Sequence, residues 1–131
     1  MHAKGTFDVK VAPLAEANPD GSRLGRYSID KQYHGDLDAT AKGEMLTAGS
    51  YVKGSGAYVA VELVSGTLNR RKGSFVLVHK GTMAQGSTQL EITVVPDSGT
   101  DQLTGISGKL NIIIADGKHS YDFEYSLPDA H

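Results

Sequence analysis

The sequence predicts an all-β fold, an eight-stranded antiparallel barrel forming a single domain over residues 1–131. A chain of 131 residues is long enough for one hydrophobic core. Its sixteen glycines, its β-branched residues and its closely spaced turn signals favour many short-linked strands, and no segment carries a sustained apolar repeat at helical spacing. Closure into a barrel removes exposed strand edges, and a β-sandwich is the competing architecture.

The strands are predicted from short apolar or alternating runs bounded by turn residues. In chain order they cover residues 6–11, 26–32, 33–46, 56–68, 74–83, 88–95, 107–115 and 118–127. Longer linkers are predicted over 13–23, which contains Asn18-Pro19-Asp20-Gly21, over 47–55 and over 96–105. Asp116 and Gly117 predict a two-residue type I′ turn, because both residue types tolerate positive φ.

Alternation assigns the lumen face of each strand. The mostly apolar series are Phe7, Val9 and Val11; Tyr27, Ile29, Lys31 and Tyr33; Phe75, Leu77 and His79; and His119, Tyr121, Phe123 and Tyr125. A lumen with these side chains contains aromatic rings and a few ionisable groups. Such a mixture is more typical of a pocket lining than of a dry core.

The segment 56–82 contains the most informative pattern in the chain. Glu62 and His79 each interrupt an otherwise apolar strand, where an ionisable side chain needs a partner, a solvated cavity or a function. Residues 58–64 are also apolar on both faces. If one face lines the lumen, the other needs cover, so we expect a homo-oligomer formed through the central strands.

Several motifs occur together and in order. They are Asp30-Lys31 with Gly35-Asp36-Leu37, residues 56–62, Gly66-Thr67-Leu68, residues 73–77, residues 79–83, residues 94–100 and residues 116–121. In these motifs the chain resembles a domain-of-unknown-function family of small bacterial proteins whose barrel is similar to that of allene oxide cyclase. The resemblance covers nearly the whole chain and implies a calycin-like barrel with a lumen, commonly in a small oligomer. It does not imply the cyclase reaction, because that enzyme's catalytic residues cannot be matched here one by one.

Glu62 and His79 are the candidate catalytic residues. Burial raises the pKa of a carboxyl group, so Glu62 is expected to exchange a proton near neutral pH, and an imidazole titrates in the same range. The alternatives are a buried ion pair for Glu62 and a structural hydrogen bond for His79.

The candidate ligand-binding residues share the predicted lumen face or carry a polar tip on an apolar body. They are Lys31, Tyr33, Tyr58, Phe75, Tyr121 and Tyr125. Lys31 is also a candidate counter-charge for Glu62, although lysines near strand ends often reach back to water. His34 and His119 stand near Asp36 and Asp116, where solvent-exposed pairing is expected.

The composition narrows the function classes. The chain has 13 Lys and Arg, 15 Asp and Glu and no cysteine, which gives no footprint for nucleic acid or anionic lipid and no thiolate chemistry. No close pair of ligands predicts a metal site, and no motif predicts a cofactor; the Pro96-Asp97-Ser98-Gly99-Thr100 stretch is interpreted as a turn. Without a signal peptide or a membrane-length apolar run, a cytoplasmic location is expected.

Three functions remain open on the sequence. The first is binding of a small, mostly apolar ligand in the lumen, anchored by Glu62, His79 or a tyrosine. The second is a cofactor-independent isomerase, cyclase or lyase using Glu62 and His79 as acid and base. The third is a structural or assembly protein with a filled lumen. The sequence does not decide whether the protein is an enzyme.

Overall fold

The computed structural model describes residues 1–14, 24–50, 52 and 54–128 and contains eight strands. They are β1 (His2–Pro13), β2 (Leu24–Gly35), β3 (Leu37–Gly49), β4 (Gly56–Leu68), β5 (Arg71–Ala84), β6 (Ser87–Val94), β7 (Ser107–Ala115) and β8 (Lys118–Ser126). Each strand pairs with the next in antiparallel register, and β8 pairs with β1. The predicted closed barrel is confirmed.

Tight turns with two left-handed residues connect three of these strand pairs. Asp116 and Gly117 have φ of 52° and 76°, which confirms the type I′ prediction. Asn69 and Arg70 join β4 to β5 with φ of 46° and 72°, and Gln85 and Gly86 join β5 to β6 with φ of 50° and 88°. Turns of this hand match the right-handed twist of the strands that they connect.

The boundary between the second and third strands differs from the prediction. The break expected after Gln32 falls instead at Gly35 and Asp36. Gly35 adopts φ of 108°, which a side chain disfavours, and Asp36 Oδ2 accepts a hydrogen bond from the backbone N–H of Lys4 at 2.9 Å. Tyr33 therefore belongs to β2 and faces the lumen. The predicted 13–23 linker lies outside the described residues beyond Leu14.

One end of the barrel is filled with side chains, and we call it the packed end. A short 3₁₀ helix, Asp101–Leu103, lies within the predicted 96–105 linker and was not predicted. It brings Leu103 over this end, where Leu103 joins buried Leu37, Leu68 and Ile106. Stacked aromatic rings of Phe75, Phe123 and Tyr125 fill the space beneath: the Phe75 and Phe123 centroids lie 5.5 Å apart.

The barrel wall is weakest between β6 and β7. In the described part of the chain these strands form one ladder pair, Thr93 with Lys109, whereas the neighbouring β5 and β6 pair continuously from Leu77 to Ala84. On either side of this pair, no ladder pair joins the described residues of the two strands.

The outer face of β4 is apolar and uncovered. Val59, Val61 and Leu63 are 47%, 52% and 53% exposed, next to exposed Leu46 on β3. The sequence prediction of an apolar outer face is confirmed. The described residues contain no helix that could span a lipid bilayer.

Candidate functional site

Three polar side chains surround Glu62 inside the barrel: Lys31, Tyr33 and His79. We call these three residues and Glu62 the Glu62 cluster. Glu62 is fully buried, and Oε2 lies 3.0 Å from Lys31 Nζ and 3.0 Å from His79 Nε2. The Tyr33 hydroxyl donates a short hydrogen bond to Oε1. Both carboxylate oxygens are therefore occupied by donors, as a buried charge requires.

Small residues on β3 explain how side chains from β2 reach Glu62 on β4. In the strand register Tyr33 faces Ala39, Lys31 faces Ala41, and Gly43 faces Glu62. None of the three β3 residues has a side chain larger than a methyl group. The long side chains of Lys31 and Tyr33 therefore cross β3 inside the lumen, where a larger β3 residue would block them.

The partners of Glu62 reverse the effect expected from burial alone. Burial raises the pKa of Glu62, but the hydrogen bond with His79, the positive charge of Lys31 and the hydrogen bond from Tyr33 outweigh it. The net result lowers the pKa from 4.5 to about 2. The expectation that Glu62 exchanges a proton near neutral pH was wrong: the group stays a carboxylate.

Because a carboxylate only accepts hydrogen bonds, Nε2 of His79 carries the proton in the contact with Glu62. Glu62 thus fixes the orientation and the tautomer of the imidazole. Burial, together with the charge and hydrogen bond of Glu62, raises the pKa of Tyr33, which stays a neutral phenol. Lys31 Nζ also lies 5.0 Å from the centroid of the Phe7 ring, a cation–π contact.

The end of the barrel opposite the packed end contains a cavity of about 570 Å³, which we call the mouth cavity. It is lined by Thr47, residues 54–58, residues 81–83, residues 88–90 and Ile114. Four lining residues, Thr47, Tyr58, Gly81 and Leu90, form one cross-strand row from β3 to β6. Leu90 of β6 and Ile114 of β7 both line the cavity, away from the one ladder pair between these strands.

The Glu62 cluster begins directly below this row. His79 lies one inward position below Gly81 on β5, and Glu62 lies two inward positions below Tyr58 on β4. Each inward step along a strand is about 7 Å. The mouth cavity and the Glu62 cluster are therefore successive layers of one lumen, and neither Glu62 nor His79 is among the residues that line the cavity.

Tyr58 lines the mouth cavity and is affected by the charge of Glu62 in the layer below. A Cβ on Gly81 would lie 2.3 Å from a ring carbon of Tyr58, so the absence of a side chain at Gly81 allows the ring to pack against the β5 backbone. Burial and the negative charge of Glu62 raise the pKa of Tyr58, which keeps the phenol neutral. Its hydroxyl has no hydrogen-bond partner among the described residues.

The structure places the predicted ligand-binding residues in four parts of the barrel. Lys31 and Tyr33 belong to the Glu62 cluster, and Tyr58 lines the mouth cavity. Phe75 and Tyr125 lie in the aromatic stack of the packed end. The Tyr121 hydroxyl bonds to backbone atoms of His34 and Leu37, which fastens the β2–β3 turn. The predicted counter-charge between Lys31 and Glu62 is confirmed.

His34 and His119 lie apart from the cluster. His34 pairs with Asp8 on the neighbouring strand, Nε2 to Oδ2 at 3.0 Å, and not with Asp36. The His119 ring packs 5.3 Å from Phe7, centroid to centroid, where pairing with Asp116 was expected. In the ranges that the structure describes, no three His, Asp or Glu side chains converge as metal ligands would.

The mouth lining itself was missed by sequence reasoning, with the exception of Tyr58. No sequence pattern distinguishes the other lining residues, such as Thr47, Gly81 and Leu90, and only the strand register brings these three together with Tyr58 in one row.

For the Glu62 cluster, a partial sequence signal was present in the alternation of Ala39, Ala41 and Gly43. Consecutive small inward residues indicate that longer side chains from neighbouring strands fill the space.

Comparisons with known proteins agree with this architecture. A family model described as "Protein of unknown function (DUF3224)" matches residues 3–125. A crystal structure of a DUF3224-family protein of unknown function from Shewanella oneidensis MR-1 is 44% identical, with a TM-score of 0.91, and the match covers 99% of this chain and 98% of that one. No curated protein matches. The chain belongs to the DUF3224 family.

Proposed function

We propose that the protein binds a small, mostly apolar molecule in the mouth cavity. The observation that carries the proposal is an open space of about 570 Å³ at one end of an otherwise filled lumen. Ligand sites in proteins usually measure about 300–1,000 Å³ and combine apolar walls with a few polar groups.

The lining of the mouth cavity has this composition. Met83, Leu90 and Ile114 supply apolar surface, and they are 42%, 45% and 68% exposed without a ligand. A bound apolar molecule would remove this surface from water, at about 25 cal/mol for each Å² buried. The Tyr58 hydroxyl, which has no hydrogen-bond partner among the described residues, supplies a polar anchor beside them.

Adjacent isoleucines on β7 provide a matched test. Ile114 lines the mouth cavity, whereas Ile113 is half exposed and is not part of the lining. Ile114→Trp should fill the cavity and weaken binding of the neutral fluorophore N-phenyl-1-naphthylamine at least about tenfold, since filling removes the apolar site. Ile113→Trp should bind like the unchanged protein. The readout is fluorescence enhancement on titration with the dye.

Equal dye binding by the two tryptophan variants would contradict the proposal, because it would place the dye outside the mouth cavity. Native mass spectrometry of gently purified protein provides an independent check. A co-purified small molecule that is present with Ile113→Trp and absent with Ile114→Trp would support the proposed site.

The hydrogen bond between Glu62 and His79 favours a second candidate, proton-transfer catalysis by an isomerase, cyclase or lyase. The roles would differ from a simple acid and base pair. Glu62 stays ionised and would position His79, and His79, one layer below the cavity, would carry the proton. Conversion of a bound ligand that stops in His79→Gln while binding persists would support this function; a ligand recovered unchanged would count against it.

We also propose that the outer face of β4 contacts a second copy of the chain. Its exposed valines and leucines lie beside Lys42 and the Arg26–Glu44 ion pair, so an identical face offers both apolar surface and opposite charges. Val61→Lys should shift the protein to monomers in light scattering coupled to size exclusion, whereas Ile113→Lys should not. A mass unchanged by Val61→Lys would contradict this interface.

A further inference from the structure

The described lining of the mouth cavity carries no formal charge. It contains Thr, Ser, Gly, Ala, Met, Gln, Leu, Ile and Tyr residues and no Asp, Glu, Lys, Arg or His. Tyr58, the one ionisable residue of this described lining, stays a neutral phenol. A charged ligand would therefore find no opposite charge on the described walls.

Three lysines of the described residues lie close to the mouth cavity. Lys31 is buried below it, with Nζ 3.0 Å from Glu62 Oε2. Lys80 and Lys109 line an adjoining groove together with Glu91, and this groove shares Thr82, Gln89 and Leu90 with the mouth cavity. None of these ammonium groups is part of the mouth lining.

The ion pair beneath the cavity offers no net positive charge to an anion. Glu62 lies two inward positions below Tyr58 and is paired with Lys31 at 3.0 Å. Burial and the charge of Glu62 already disfavour a negative phenolate at Tyr58. A ligand carboxylate or phosphate in the cavity would lose its hydration without gaining an opposite charge from the described lining.

We infer that the mouth cavity selects electrically neutral ligands, apolar molecules whose single carbonyl, amide or hydroxyl group pairs with the Tyr58 hydroxyl, over anions of the same shape. The inference rests on the proposed function, since it names the ligand class of the same cavity. The Tyr58 hydroxyl can both donate and accept a hydrogen bond, so each of these neutral groups is a suitable partner.

Two molecules of nearly equal shape test the selection of neutral ligands. They are 1-naphthamide, which is neutral, and 1-naphthoate, which is an anion at pH 7. Each is titrated against the unchanged protein loaded with N-phenyl-1-naphthylamine, and displacement of the dye is measured. The amide should bind at least about tenfold more tightly than the anion at pH 7, because the anion is desolvated without a partner. The affinity for naphthoate should rise as the pH is lowered to 5.5, and the affinity for naphthamide should not.

The outcomes separate this inference from the proposed function. Naphthoate binding that equals or exceeds naphthamide binding, and that is lost in Ile114→Trp, would overturn neutral selection and leave a ligand-binding cavity. Failure of the dye and of both naphthalene derivatives to bind would overturn the proposed function, and neutral selection with it.

Tyr58→Phe tests the polar anchor separately from the apolar walls. The variant should bind naphthamide about threefold to tenfold more weakly and should bind naphthalene, which has no polar group, unchanged, since a neutral hydrogen bond is worth about 1 kcal/mol. Equal weakening for both compounds would show that the ring, and not the hydroxyl, makes the contact, and would overturn the assigned anchor.

Discussion

Glu62→Ala is expected to lower the free energy of unfolding by about 3–5 kcal/mol. The substitution leaves the Lys31 ammonium buried without its counter-charge and removes the acceptor of His79 and Tyr33. Breaking a buried ion pair from one side is costly because the remaining charge has no solvation. Urea denaturation at pH 7 measures the change.

Asp8→Ala is the matched control for this experiment. Asp8 Oδ2 lies 3.0 Å from His34 Nε2, but the two side chains are 84% and 50% exposed. Its loss should cost less than about 1 kcal/mol, since water solvates the remaining group. Similar losses for the two variants would show that the Glu62 cluster does not stabilise the barrel as its burial implies.

Stability should fall in acid because of Glu62. Its pKa is lowered in the folded protein, from 4.5 to about 2, so the carboxylate favours the folded state. This contribution is fully present above pH 4.5 and is lost as the pH falls toward 2. It amounts to a stability difference on the order of 3 kcal/mol.

The contribution of Glu62 is isolated by comparison with Glu62→Gln, which does not titrate. The free energy of unfolding is measured for both proteins between pH 6 and pH 3, and the difference between them should shrink as the pH falls. The other carboxyl groups titrate alike in the two proteins and cancel. A constant difference over this range would contradict a lowered pKa for Glu62.

Much of the fold follows from local chemistry. Asp116 and Gly117 make a type I′ turn because both adopt positive φ, and the β4 strand is bounded as its apolar run predicts. The misplaced break before Tyr33 has a similar local origin. Residues 24–35 alternate without interruption, and the turn depends on the left-handed φ of Gly35, one of several glycines that a sequence pattern does not distinguish.

The candidate site was predictable only in part. Alternation placed Lys31, Tyr33 and His79 on the lumen side, but it left the facing of Glu62 open because both faces of its strand are apolar. A period of two also does not give the register between strands. Register decides that Gly43, and not a larger residue, faces Glu62, which lets Lys31 reach it. The lowered pKa of Glu62 depends on this register, because the three side chains that lower it lie on two other strands.

The sequence by itself determined the family resemblance, the strand-rich fold and the presence of ionisable groups on an apolar face. These depend on periodicity and turn chemistry, which act over a few neighbouring residues. Only the tertiary structure decided that Glu62 is a fully paired carboxylate and that the open space lies at the Tyr58 end of the lumen. Both depend on which side chains meet across strands that are distant in sequence, and barrel closure sets those distances.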